Sequence, residues 1–155
     1  MAFSAAAQAQ QVQRVEIRDV GIYKAKVTGS DSAPGTAAGI YNTITNEELQ
    51  ERTTTIPAKL GIRFGFHYSI IGTPNNTPIT LKMVTRYPPP GLHNPATGNT
   101  LLRGEYSRTK KLGTADNYRD YGFDDEWELV PGTWTFEIWQ DDRKLAEQSF
   151  TVVKP

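Results

Sequence analysis

The stretch Leu129 to Val153 restricts this chain to few architectures. Trp134, Phe136 and Ile138 alternate with Thr133, Thr135 and Glu137, the period of two that marks a strand with one buried face. Pro131-Gly132 supplies a turn ahead of that strand and Asp141-Asp142 a polar reversal after it. A second strand then closes with Phe150 and Val152 on one face. The chain therefore ends in an antiparallel hairpin whose apolar side needs a second sheet to cover it.

Leu60 to Ile70 repeats the pattern. Leu60, Ile62, Phe64, Phe66, Tyr68 and Ile70 share one face, and Lys59, Gly61, Arg63, Gly65, His67 and Ser69 the other. A slip of one residue would turn the whole apolar row into water, so register is strongly specified. Gly61 and Gly65 leave room on the polar face for a neighbouring chain to sit close. Upstream, Val15 and Ile17 lie on one parity and Val20 and Ile22 on the other. That switch predicts a bulge at Asp19–Gly21, with Gly21 supplying the unusual backbone angle. Thr28 to Gly39 reads as an aperiodic loop. Thr45 to Arg52 fits either a capped helical turn, with Thr45 and Glu48 as capping box, or a polar strand edge. Ile79, Leu81 and Met83 predict a further strand after a turn at Gly72–Asn76, and Leu101 to Leu112 another, with Leu102 and Tyr106 on one face. The expected core is Leu60, Ile62, Phe64, Phe66, Leu81, Trp134, Phe136, Ile138, Phe150 and Val152.

Ten prolines and 13 glycines scattered between short apolar runs suit an all-β chain with many turns. A Pro-Gly turn, a Trp-bearing strand, a tight turn and a final strand is how many immunoglobulin-like sandwiches end. The fold class is therefore a single antiparallel immunoglobulin-like β-sandwich over residues 14–155, with a long Pro-rich loop at Pro88–Asn99. Residues 1–13 form a flexible N-terminus or a signal-peptide remnant. Ala7-Gln8-Ala9 has the A-x-A pattern read by signal peptidase, so the expected location is periplasmic or secreted, with processing near Ala9. No stretch reaches the length of a transmembrane helix.

Charge narrows the partners. Seventeen basic residues balance 17 acidic ones, without the basic excess that phosphate neutralisation demands, so nucleic acid is not an expected partner. The densest basic run, Arg108-Thr109-Lys110-Lys111, reads as a solvated strand face. The chain has no cysteine, which removes disulfides, thiolate nucleophiles and cysteine metal sites.

Three blocks occur in order: Ile56-Pro57-Ala58-Lys59-Leu60-Gly61-Ile62-Arg63-Phe64-Gly65-Phe66, His93-Asn94-Pro95-Ala96-Thr97-Gly98, and Glu128-Leu129-Val130-Pro131-Gly132-Thr133-Trp134. Together they resemble the bacterial family catalogued as domain of unknown function 3859, over roughly Val15 to Val153. The resemblance implies an extracytoplasmic, immunoglobulin-like domain and brings no activity and no catalytic residues.

Chemistry-bearing residues are few. His67 and His93 lie on separate elements, short of the three or four ligands a zinc site needs, so no metal and no cofactor is expected. Asp116, Asp120, Asp124, Asp125, Glu126 and Glu128 lack the spacing of a calcium loop, and Arg119 interrupts them; a solvated loop is the expected state. No G-x-S-x-G, phosphate loop or dinucleotide fingerprint is present, and the chain is read as non-enzymatic. The Pro88–Asn99 loop is the candidate binding surface: its prolines stiffen it before a partner arrives, and Leu92 and His93 are expected to face solvent beside Asn94 and Thr97. Trp139, following Ile138, must face away from the core, covered by a loop or exposed to a partner. The expected function is a non-catalytic binding or assembly module for an unknown protein or glycan. The alternative is a small carbohydrate-binding or hydrolytic domain using the acidic–aromatic segment 116–128. A cleft lined by Trp139, Tyr118 or Tyr121 with two carboxylates would favour the alternative.

Overall fold

The structure, a computed structural model, describes residues 12–155. The Ala7-Gln8-Ala9 pattern lies outside the described residues. Eleven strands run in chain order: β1 (Val12–Ser32), β2 (Ile40–Arg52), β3 (Thr55–Pro57), β4 (Arg63–Gly72), β5 (Pro78–Arg86), β6 (Leu92–Asn94), β7 (Asn99–Leu101), β8 (Arg103–Lys111), β9 (Asn117–Gly122), β10 (Gly132–Gln140) and β11 (Arg143–Val153), with one short 3-10 turn at Glu126–Glu128. They form a four-stranded sheet ordered β2-β1-β4-β9 and a five-stranded sheet ordered β3-β11-β10-β5-β8, with β6 and β7 as a small separate hairpin. Apart from the parallel β3–β11 contact, the pairings are antiparallel.

The two sheets meet through the alternating rows of β4, β5, β10 and β11. Phe64 lies at the centre, its ring 5.1–5.8 Å from those of Phe123, Trp134, Phe136 and Phe150. Trp134 and Phe150 meet it edge-on and Phe136 stacks on it, and such aromatic pairs add roughly 0.5–1.5 kcal/mol each beyond area burial. Trp134 is fully buried and its indole N–H donates to the Val130 carbonyl at 2.9 Å, so the residue ahead of the Pro131-Gly132 turn satisfies the polar atom of that ring. Nine of the ten expected core residues are buried or pack against the core, Ile62 among the partly buried. Leu60 is not: it is 45% exposed. The strand starts at Arg63 rather than Leu60, because Gly61 turns the chain with φ +87°.

Several other expectations change. β1 starts at Val12, two residues ahead of the expected boundary at Arg14. The bulge near Asp19–Gly21 is present, with the register against β4 shifting between Arg18 and Gly21. Its left-handed residue, however, is Asp19 (φ +54°). Gly21 serves a different need, since a Cβ there would run into the Glu51 carbonyl. Thr28 to Ser32 and Ile40 to Arg52 are strand, so the loop shrinks to residues 33–39 and the helical-turn option for Thr45–Arg52 falls. In the Pro88–Asn99 segment a three-residue ladder forms as soon as the prolines end, at Leu92–Asn94. Leu102 is 56% exposed, unlike Tyr106.

The β1–β2 hairpin positions the candidate site. β1 pairs with β4 from Val12 to Tyr23 and with β2 from Gly21 to Ser32, so its second half runs past the start of β4 as a two-stranded arm. Three register shifts within the β1–β2 ladder give the arm the bend and extra twist that bulges impose. Its far end docks on the other sheet and on the β6–β7 hairpin: the Glu105 amide donates to the Gly35 carbonyl at 2.9 Å, and Asn94 Nδ2 to the Ala37 carbonyl at 3.0 Å. The arm thus crosses the open side of the sandwich between β9 and β8, the terminal strands of the two sheets.

Candidate functional site

A cavity of about 720 Å3 lies beneath the arm, within the usual range of roughly 300–1,000 Å3 for small-molecule sites. Directly paired residues share a sheet face, which sets its walls. Tyr106, Arg108 and Lys110 on β8 pair with Met83, Leu81 and Ile79 on β5, so they stand on the inner face of the five-stranded sheet. On β9, Asn117, Arg119 and Tyr121 pair with Tyr68, Phe66 and Phe64, again inward, while Tyr118, Asp120 and Gly122 pair with His67, Gly65 and Arg63 on the outer face. The cavity wraps β9 and is roofed by Ile40 to Ile44 and Glu47 of the arm.

Arg119 forms the floor. It is 5% exposed and donates to the carbonyls of Glu137 and Val84, both at 2.7 Å, and to Thr85 Oγ1 at 3.0 Å. Its guanidinium lies 5.0 Å from the centre of the Phe136 ring. Burial lowers its pKa from the ordinary arginine value. On the β8 wall, Arg108 Nη1 donates to the Tyr41 hydroxyl at 2.6 Å, with its guanidinium 4.1 Å from that ring. Tyr41 in turn stacks on Tyr106 at 5.2 Å. Burial, and then the Arg108 charge, lowers the pKa of Lys110.

The carboxylates around the cavity are largely engaged. Asp120 receives Arg63 Nε at 2.6 Å and Nη2 at 3.0 Å, and the Tyr118 hydroxyl at 2.8 Å. Gly65 and Gly122 make space for this pair, because a Cβ on either would strike Asp120 or the Arg63 guanidinium. Burial, with the Asp120 charge adding to it, pushes the Tyr118 hydroxyl well up. Glu128, 3% exposed, accepts the amides of Asp124 and Asp125 at 3.0 and 2.9 Å and a hydrogen bond from the Tyr121 hydroxyl. Burial raises its pKa even against those donors. Asn42 of the arm donates to Asp124 at 3.2 Å. Behind the outer wall, His67 Nδ1 lies 2.9 Å from the Tyr23 hydroxyl and Nε2 3.3 Å from Glu47, which ties the arm's root to β4. Burial, and next the Asp19 charge, pushes the Tyr23 hydroxyl up to about 12.

The expected site residues are dispersed. Leu92 is fully buried in the core, which corrects the expectation that it faces solvent. The hairpin turns it inward while His93 stays exposed, its Nδ1 2.7 Å from Thr100 Oγ1 across the ladder. Asn94 is buried; it holds the arm through Ala37 and accepts the Ala96 amide at 2.9 Å. Thr97 closes the turn, accepting the Asn99 amide at 3.3 Å. Trp139 faces away from the core as expected, on the outer side of the other sheet, with its indole N–H on Glu137 at 2.9 Å and the Lys82 ammonium 5.8 Å from the ring centre. Of these five, Asn94 alone lines the cavity. The segment expected to be a solvated acidic loop is instead strand β9 and a 3-10 turn with Arg119 and Glu128 buried, because its alternate residues face the opposite sheet. Sequence reasoning passed over Tyr41 and Tyr106 as site residues and read Arg108 and Lys110 as a solvated strand face, which is corrected here because their pairing with Leu81 and Ile79 turns them toward the cavity. Their signal was Tyr106, Arg108 and Lys110 alternating with Ser107 and Thr109.

A family model described as Domain of unknown function (DUF3859) matches residues 11–152. The chain belongs to the DUF3859 family. A crystal structure of an immunoglobulin-like protein from Pseudomonas aeruginosa shares 28% identity with this DUF3859 chain, covers 94% of it and 99% of its own length, and superimposes with a TM-score of 0.62. The fold is thereby an immunoglobulin-like sandwich, as the terminal hairpin predicted. No curated protein matches the chain. Among the described residues, no group of three or more His, Cys, Asp or Glu is placed to hold a metal ion.

Proposed function

We propose that this DUF3859 chain is an extracytoplasmic, non-catalytic binding module that takes a saccharide into the cavity beneath the β1–β2 arm. The cavity itself carries the reading. It has the volume of a ligand site, and its walls mix tyrosine and tryptophan rings with amide, guanidinium and hydroxyl donors, a chemistry suited to a polyhydroxylated ligand. The supporting segment is 116–128, which supplies Tyr118, Tyr121 and Trp127 together with the carboxylates of Asp120 and Glu128. Hydrolysis is disfavoured because a glycosidase needs two carboxylates free to act as acid and base or nucleophile, roughly 5–9 Å apart. Here Asp120 is held by Arg63, and Glu128 by Tyr121 and two amides. Strand addition by a partner peptide is disfavoured where the arm already caps β8 at Glu105. Export follows from the Ala7-Gln8-Ala9 pattern.

A glycan array followed by calorimetry on the best saccharide tests the reading. The saccharide is expected to bind and to be recovered uncleaved. Ala38→Trp, which pushes an indole from the arm into the cavity, is expected to abolish binding in a protein that still melts cooperatively, whereas His93→Ala leaves binding unaltered. Absence of binding to any saccharide, or equal binding by Ala38→Trp, overturns it.

A further inference from the structure

The β1–β2 arm breaks its own ladder just beyond the point where β1 leaves β4. The β1–β4 pairing ends at Tyr23, and the β1–β2 register steps from Lys24 opposite Glu48 to Lys26 opposite Thr45. Ala25 therefore faces two residues, Asn46 and Glu47, and Asn46 takes the left-handed backbone with φ +56°. An extra residue of this kind bends a strand and interrupts its pairing. The arm thus has a hinge there, while its tip is docked through Gly35 to Glu105, Ala37 to Asn94, Tyr41 to Arg108 and Asn42 to Asp124.

One side chain grips both strands beside the hinge. His67 stands on the outer face of β4, with Arg18 of β1 and Tyr118 of β9 as its lateral partners. Its ring centre lies 5.5 Å from that of Tyr23 and 5.1 Å from that of Tyr118. Its Nδ1 meets the Tyr23 hydroxyl on β1 at 2.9 Å, and its Nε2 meets Glu47 on β2 at 3.3 Å. The proton count follows from these partners. The Tyr23 hydroxyl has one proton and gives it to the Asp19 carbonyl, which can only accept. Tyr23 must therefore accept from an N–H at Nδ1. An ionised Glu47 can also only accept, so Nε2 must carry a proton too. Both bonds are satisfied together only by the imidazolium. The charged groups around it are Asp19, tied to Arg18 and Arg52, Arg18 itself, turned to Ser69 and Asp116, and Asp120, held by Arg63 and Tyr118. Burial pushes the Tyr23 and Tyr118 hydroxyls up, so both keep their protons. Histidine is the side chain in this group whose ordinary titration range falls between about pH 5 and 8.

We infer that His67 is a pH-operated latch on the arm: its imidazolium clasps Tyr23 and Glu47 at the hinge in acid, and loss of one proton frees one of the two strands. A neutral ring has a single N–H. With that proton on Nδ1, the Nε2 lone pair meets the Glu47 carboxylate and β2 is released. With it on Nε2, the Tyr23 hydroxyl must give up either Asp19 or His67, and β1 is loosened instead. Either way the grip falls from two strands to one. The arm then swings about Asn46 more often, and the cavity beneath it opens more readily at high pH than at low, whatever its ligand.

The Glu105 amide reads the latch without any ligand, because its partner is the Gly35 carbonyl of the arm. Its protection factor against hydrogen exchange, measured by NMR on the full chain, divides out the intrinsic pH dependence of exchange. It is expected to fall about tenfold between about pH 5 and 8, the scale of one charge-assisted hydrogen bond, while the β10 amides hold theirs. Glu47→Gln should stay protected throughout, because its side-chain amide accepts from the charged ring and donates to the neutral one. His67→Phe should be weakly protected throughout. The His67 nitrogen shifts should show two ring N–H groups at about pH 5 and one at about pH 8. Glu128, which accepts the amide of Asp124 where Asn42 docks, remains in place in Glu47→Gln. A pH dependence that survives in that variant, a wild-type protection factor that does not move, or a His67 ring with one proton at about pH 5 overturns the latch.

Discussion

Replacing Asp120 by alanine should expose how much of this sandwich depends on one ion pair. The Arg63 and Asp120 side chains are 10% and 7% exposed, and two bonds of 2.6 and 3.0 Å join them. An exposed pair is worth about 0–1 kcal/mol. Here the remaining guanidinium would stay under β9 without a carboxylate, at a cost of about 3–5 kcal/mol. Single domains have about 5–15 kcal/mol in total, and a chain of this length loses about 2–4 °C per kcal/mol. Asp120→Ala should therefore lower the melting temperature by about 6–20 °C. Arg63→Met combined with Asp120→Leu removes both charges and fills both places, and is expected to recover most of that loss, since desolvation offsets much of a buried pair's attraction. Urea denaturation of the wild type, Arg63→Met, Asp120→Leu and the double variant closes the cycle. A loss below about 1 kcal/mol for Asp120→Ala, or a double variant as unstable as the sum of the singles, would refute the reasoning.

Two further predictions separate structural from peripheral residues. Leu92→Ala should cost about 2–5 kcal/mol because it empties a core position, whereas His93→Ala should stay within about 0.5 kcal/mol; thermal melts of the two variants check this, and equal effects would contradict the burial difference. For Glu128, whose folded pKa is raised by burial, the folded state holds the proton more tightly than the unfolded chain. Its contribution is full below the ordinary carboxyl range and lost as pH rises through the raised value. Glu128→Gln should thus gain on the wild type as pH climbs from 4 to 7.5, read as the change in the difference of their urea midpoints. A constant difference would rule the shift out.

How far the sequence reached follows from what alternation reports. A period of two says which residues share a face, but neither where the strand begins nor which face lies inside. The row from Leu60 to Ile70 was right in parity and wrong at its start, because Leu60 continues the pattern by position while Gly61, at φ +87°, has already turned the chain. The terminal hairpin was legible because its inward row of Trp134, Phe136, Ile138, Phe150 and Val152 is apolar, with Gln148 opposite Phe136 as the polar exception, and an alternative register exposes that row. The arm was not: residues 24–32 bury little and pair with β2 rather than with the core sheets, so they carry no amphipathic signature.

The β8 wall of the cavity was hidden for a more specific reason. Tyr106, Arg108 and Lys110 look like the wet face of β8, and on an isolated strand they would be. Pairing with Met83, Leu81 and Ile79 decides otherwise, because those three residues must face the core and partners opposite one another share a side. Charged residues are thereby carried to the inside of a sheet by the hydrophobic demand of the neighbouring strand. They avoid a collapsed core only because the arm holds the space open above them. Shortening the arm would let β8 and β9 close or flood that space. The polar interior and the β1–β2 extension are therefore one feature, each without purpose if the other is removed.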